Sequence, residues 1–120
     1  MSAERDRGQA AVEFAIALPL VAVLVLGIVQ VVVVARDQLA VELAAREGAR
    51  AAAVAAAPAS AAGAAARAAT SLPVEISTSA TGSRVTVTVT YRSPTDVPLI
   101  GHAIGDVVLS ATVTMTREPP

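Results

Sequence analysis

The amino-acid sequence predicts an α+β protein, in which a long N-terminal transmembrane helix extends into an alanine-rich helix and is followed by a small three-stranded antiparallel sheet. Three observations predict this fold. Residues 14–35 carry no formal charge, the residues after them are dominated by alanine, and residues 84–91 alternate valine with threonine. A long uncharged run and a high alanine content favour helix, whereas a period of two residues is typical of a strand.

The composition limits the classes of function. The chain has 120 residues and a net charge of -1, and its positive charges are all arginines. Only 2% of the residues are aromatic, so the chain lacks the clustered positive charge and stacking side chains of a nucleic-acid surface. Without cysteine there is no disulfide, thiolate nucleophile or cysteine-based metal site. No phosphate loop or nucleotide fingerprint is present, so we expect no cofactor and no small-molecule substrate.

The first two segments are a charged stub and an apolar helix. Residues 1–8 read MSAERDRG, in which two arginines balance two carboxylates. Residues 9–35 read QAAVEFAIALPLVAVLVLGIVQVVVVA, and the last 22 of them are uncharged. About 20 apolar residues in a helix cross a bilayer core, and an isolated span must be helical because lipid offers no partners to the backbone. Residues 9–35 are therefore predicted to be a transmembrane helix.

Two residues inside this span have open interpretations. Pro19 removes one helix hydrogen bond, which makes it either a flexible point used in leaving the membrane or a simple tolerated kink. Gln30 either bonds another helix or is merely tolerated.

Residues 36–70 are rich in alanine and are predicted to be helical. The first helix should continue out of the membrane to about Ala57, where Pro58 stops or offsets it, and residues 59–69 can form a shorter second helix. The alternative is a low-complexity spacer.

Residues 71–120 are predicted to form a small antiparallel β domain. Residues 73–80, 84–91 and 106–116 all alternate apolar with polar side chains, and Thr81-Gly82-Ser83 provides a hairpin connection between the first two. A sheet with one apolar face needs a cover, and the alanine-rich helix is the only nearby candidate.

The most informative motif is Gly8-Gln9-Ala10-Ala11-Val12-Glu13-Phe14. A hydrophilic leader ends in glycine, a long apolar helix follows at once, and one carboxylate lies five residues beyond the glycine. A charge at the centre of a membrane span costs about 2–3 kcal/mol, and less near its edge. No arginine lies within the apolar run, so the partner of Glu13 must come from elsewhere.

This motif resembles that of type IV prepilins. The sequence RGQAAVEFAIALPLV is similar to those of the TadE-like proteins, the branch associated with tight-adherence (Flp-type) pili. The resemblance implies that residues 1–8 are a leader cleaved after Gly8 by a prepilin peptidase, which leaves Gln9 as the new N-terminus. It implies that Glu13 pairs with the N-terminal amine of an adjacent subunit, and that Phe14 and Pro19 also serve assembly. The chain would then be a minor pilin or pseudopilin whose partners are the membrane, other pilin subunits and pilus assembly proteins.

The resemblance extends more weakly to the rest of the chain and has departures. A strand ending in tyrosine, a connection with Pro94 and Pro98, and a final strand closing in Thr-Arg-Glu occur in similar order. Gln9 replaces the phenylalanine common at the first mature position of major type IV pilins. Arginines lie on both sides of the span, so their count does not determine orientation. That the C-terminal domain lies outside the cell membrane, on a surface pilus, follows from the resemblance alone.

Three other classes of protein remain open. One is an uncleaved single-pass anchor with a small extracytoplasmic interaction domain, and another is a secreted protein cut by signal peptidase after Ala35. The third is an enzyme, for which a Ser93–His102–Asp106 arrangement or a metal site at His102 can be drawn. No nucleophile elbow or oxyanion glycines accompany these residues, so we expect a solvated loop histidine, no catalytic or metal-binding residue and no enzyme.

Overall fold

The protein consists of a long helix that carries a small sheet. The computed structural model describes residues 2–96 and 99–117. The α+β class is confirmed. Met1 of the predicted leader, Pro98 of the predicted connection and Glu118 of the predicted ending lie outside the described residues. The elements in chain order are α1 (Ser2–Val54), α2 (Pro58–Ala69), β1 (Glu75–Thr81), β2 (Arg84–Ser93), α3 (Ile100–Ile104) and β3 (Val107–Thr116).

Helix α1 is one continuous element of 53 residues that includes the charged first segment. At 1.5 Å per residue it is about 80 Å long, and it accounts for most of the 88 Å length of the molecule. Pro19 lies inside α1, and the helix continues through it.

The break between the two helices comes earlier than predicted. α1 ends at Val54 rather than at about Ala57, and α2 begins at Pro58 itself. Proline suits the first position of a helix because its missing N–H would have no partner there in any case. α2 packs back against α1, where Gly48 lies close to Ala62 and Ala66.

The three strands form an antiparallel sheet in the order β1-β2-β3. The predicted hairpin is confirmed: Thr81 pairs with Arg84 across a turn in which Gly82 has a φ of 57°, a left-handed conformation that suits glycine. β1 starts at Glu75 and not at Pro73, and the N–H of Val74 donates instead to the carbonyl oxygen of Leu72. β2 extends two residues past Tyr91, because Arg92 and Ser93 still pair with β3.

The core lies between the apolar face of the sheet and the small residues of α1 and α2. Val85, Val87 and Val89 of β2 are fully buried, while the threonines between them are partly exposed. They face a set of buried alanines on the two helices, namely Ala44, Ala45, Ala49, Ala52, Ala62 and Ala66. The prediction that the alanine-rich helix covers the sheet is therefore confirmed.

The other face of the sheet carries hydroxyl groups in register. Thr86 and Thr114 are joined by a hydrogen bond of 3.0 Å, and Thr88 and Thr112 by one of 3.1 Å. Cross-strand threonine pairs of this kind stabilise the register of the β2–β3 ladder.

We expect Gly48→Leu to destabilise the fold. A Cβ at Gly48 would lie 3.2 Å from both the carbonyl oxygen of Ala62 and Val87 Cγ1, so a larger side chain must push the helices and sheet apart. Such overpacking costs about 1–3 kcal/mol. Leucine also has a higher helix propensity than glycine, by roughly 0.8 kcal/mol, so a net loss of stability reports packing. Thermal unfolding in detergent measures the effect.

Ala64→Leu is the control, because it adds a leucine on an exposed position of α2. An equal loss of stability in both variants would contradict close packing at Gly48.

Candidate functional site

The residues of the predicted assembly motif lie together at the N-terminal end of α1. Gly8, Gln9, Glu13 and Phe14 are all exposed, and nothing lies within 4 Å of a Cβ built at Gly8. Gln9 and Glu13 are one turn apart, and Gln9 Nε2 donates a hydrogen bond of 3.5 Å to Glu13 Oε1. This bond comes from a neutral amide, and the Glu13 carboxylate remains on an accessible helix face.

The apolar part of α1 is exposed along its length. Its most hydrophobic 18-residue window has a mean hydropathy of 2.9, and only 6% of that window is buried in the molecule. Phe14 is 67% exposed, and Leu20 is 73% exposed. By length and composition this helix is able to cross a membrane, and it fits a single-pass anchor.

Gln30 joins the apolar helix to the β domain. Its side chain is only 4% exposed, and its Nε2 donates a hydrogen bond of 3.4 Å to Thr95 Oγ1. The Thr95 hydroxyl in turn donates to the carbonyl oxygen of Gly105. Because these bonds cross the connection between β2 and β3, Gln30 holds that connection against α1. Gln30 Oε1 is buried and has no hydrogen-bond partner among the described residues.

Asp37, which lies further along α1 than Gln30, provides a second polar link between α1 and the β domain. Ser93 is fully buried and donates a hydrogen bond of 2.7 Å from its hydroxyl to Asp37 Oδ2. Burial raises the pKa of the nearby Tyr91 phenol, and the charges of Asp37 and Asp96 raise it further. The bond between Ser93 and Asp37 holds the end of β2 on α1.

The hydroxyl of Ser93 is thus engaged by Asp37 and not by a histidine. His102 was expected in a loop and instead lies on the one-turn helix α3, where it is exposed. No group of three or more metal-binding side chains occurs within residues 2–96 and 99–117. Gln30, Asp37 and Thr95 were not identified as partners from the sequence, although Gln30 stands out there as the one polar side chain in the uncharged run.

One family model, described as TadE-like protein, matches residues 8–50. The matched range starts at Gly8, includes the whole apolar run and ends within the part of α1 that packs against the sheet. The match confirms the resemblance to TadE-like proteins and is consistent with a protein of the tight-adherence pilus system. The TadE-like pilus family is structural and non-enzymatic. No curated protein and no solved structure matches the chain.

We expect the Tyr91 phenol to ionise at higher pH in the folded chain than in the unfolded chain. Its folded pKa lies above the usual 10.0, so its contribution to stability is complete below pH 10.0 and is lost as the pH rises through the folded value. The chain has one tyrosine and no lysine or cysteine, so tyrosinate absorbance in detergent follows this group cleanly.

Tyr91→Phe is the matched variant, and its unfolding temperature should fall less steeply above pH 10.0. Identical tyrosinate titration curves for the folded and the denatured chain would contradict the burial of the phenol.

Proposed function

We propose that this chain is a minor pilin or pseudopilin of a Flp-type (tight-adherence) pilus, processed after Gly8 and assembled or anchored through α1. The observation that carries the proposal is the accessible carboxylate of Glu13 at the entrance of an exposed apolar helix. The match that begins at Gly8 supports it. In this proposal residues 1–8 are the leader, 9–35 the transmembrane helix, 36–70 the alanine-rich helical region and 71–120 the displayed domain.

Glu13 would act by pairing with a charge that cleavage creates. Hydrolysis after Gly8 leaves the amine of Gln9 as a cation at the membrane edge, one turn from the carboxylate. A pair formed between two subunits neutralises both charges where water is scarce, and it aligns the two helix ends. Glu13 would therefore determine the axial register of neighbouring subunits.

Phe14 and Pro19 would help α1 to exchange contacts with lipid for contacts with neighbouring subunits. The exposed ring of Phe14 offers a large apolar contact to an adjacent helix. Pro19 lacks the N–H that would complete the helix hydrogen bond at its position, so bending of α1 costs least there.

The C-terminal domain would lie on the extracytoplasmic side and contact other pilus proteins. Its threonine pairs form an outward face of hydroxyl groups, which suits polar contacts with assembly proteins or pilin subunits. The prepilin peptidase would be a further, transient partner at Gly8.

The second candidate function is an uncleaved single-pass anchor with a small extracytoplasmic interaction domain. It is favoured by the continuity of α1 from Ser2 past Gly8, since a peptidase must unwind this helix to reach the bond. Cleavage after Ala35 is disfavoured because it would divide α1 and remove Gln30 from its bond with Thr95.

The first test is the intact mass of the membrane-extracted protein, made with and without the prepilin peptidase of its host. We expect loss of residues 1–8 only when the peptidase is present. An unprocessed chain in both samples would leave the uncleaved anchor, and a chain that begins at Arg36 would indicate a secreted protein.

The second test separates processing from assembly. Glu13→Ala should be cleaved as efficiently as the parent chain, because Gly8 is unchanged, but it should not enter the pilus fraction, because the new amine has no carboxylate partner. Immunoblots of membrane and sheared pilus fractions measure both effects. Glu4→Ala, which removes a carboxylate from the leader, is the control and should be incorporated normally. Normal incorporation of the Glu13 variant would exclude the registration role.

A further inference from the structure

An apolar surface continues from α1 onto the connection between β2 and β3. We define it as the apolar collar, formed by Ile28, Val31 and Val32 of α1 with Leu99, Ile100 and Ile104 around α3. Leu99 is 64% exposed, Ile104 is 59% exposed, and Val31 of α1 is 68% exposed. The two isoleucines of α3 are four residues apart and so lie on one side of its single turn.

Two apolar grooves run beside α3 where it meets α1. One groove, of about 550 Å³, lies between Ile100 and the stretch of α1 from Val23 to Val32. The other, of about 510 Å³, is bordered by Ile104, Val31 and Val107. Their lining is almost wholly apolar, with Gln30 and Gln38 as the polar exceptions in the second groove. Grooves with this lining offer water few hydrogen-bond partners and suit acyl chains.

The collar lies beside residues that belong to the membrane-crossing run. If the bilayer ended where the domain begins at Gln30, the uncharged helix available to it would be residues 14–29. These 16 residues span about 24 Å, whereas the hydrocarbon core is about 30 Å thick. The deficit of roughly 6 Å matches the depth of about 5–10 Å to which interfacial helices enter a bilayer.

The geometry points to α3 as a second membrane contact, which lies in the interface of the bilayer that α1 crosses, with lipid acyl chains in the two grooves. The inference rests on α1 crossing the membrane, as in the proposed function, but not on cleavage at Gly8 or on pilus assembly. A lipid surface is the occupant because the collar is continuous with the exposed apolar face of α1.

Polar contacts behind the collar hold α3 at this depth. Thr95 is bonded both to Gln30 of α1 and to Gly105 at the end of α3. Gly101 packs so closely on the carbonyl oxygen of Thr95 that no Cβ fits there. The connection is therefore fastened to α1 at the level of Gln30, which also lines the second groove beside Ile104. Exposed His102 marks the polar side of α3.

The test measures the lipid exposure of single positions in the full chain. Because the sequence has no cysteine, Leu99→Cys and Ile104→Cys each carry one nitroxide label. Leu20→Cys is the control for lipid, and Thr112→Cys, on the hydroxyl face of the sheet, is the control for water. The chains are reconstituted at low density in vesicles of phosphatidylethanolamine and phosphatidylglycerol, and collisions with oxygen and with a water-soluble nickel chelate are compared.

We expect labels at Leu99 and Ile104 to collide with oxygen as a lipid-exposed label does, with nickel accessibility severalfold lower than at Thr112. Nickel accessibility equal to that of Thr112 would overturn the inference. Protection that disappears when the protein is diluted in lipid would also overturn it, since a second copy would then cover the collar. Ile104→Trp gives an independent readout in a chain without tryptophan: brominated lipids should quench its fluorescence, and no quenching would count against the lipid contact.

Discussion

The fold of the C-terminal domain depends on the close approach of alanines on α1 to the valine face of β2. Val41, Ala44, Ala45, Ala49 and Ala52 are fully buried, so the helix backbone itself lies near the sheet. With one phenylalanine and one tyrosine in the chain, large side chains cannot fill gaps, and stability comes from many short contacts between small groups. Among the described residues, the same helix contributes six of the fourteen buried hydrophobic residues of the core and contains the whole apolar run. The domain is therefore a rigid continuation of the helix that carries it.

Much of this fold could be predicted from the sequence, since its two periodicities differ strongly. The valine–threonine alternation of β2 requires a one-sided sheet, and a one-residue slip would bury threonine. The predicted ends of the elements are less accurate, because contacts with other elements determine where a helix or strand stops. β2 continues to Ser93, for example, because β3 still pairs with it there. α3 was expected as a loop, and its five residues are too few to form a stable helix alone. It exists because Thr95 and Gln30 fasten the connection to α1.

The two polar regions of α1 differ in how visible they are in the sequence. Glu13 is conspicuous because a carboxylate beside a long apolar run is costly and demands a partner. The two polar links between α1 and the β domain are not visible in the sequence, since Ser93 and Asp37 are 56 residues apart and Gln30 and Thr95 are 65 residues apart. Only the fold brings them together. The unusual cost of a lone amide in an apolar run is the signal that marks Gln30 as a residue with a partner.

The continuity of α1 has a mechanical consequence. In a membrane-anchored chain, a pull on the domain would pass along the hydrogen bonds parallel to the axis of α1, and the sheet, which is attached to the side of the helix, would carry little of it. A helix under tension yields first where an axial bond is already missing, which in α1 is at Pro19. Because lipid offers the backbone no replacement partners, a membrane-embedded α1 would bend at Pro19 rather than unwind, and the domain would tilt on its anchor while the alanine-packed part of the helix kept its shape.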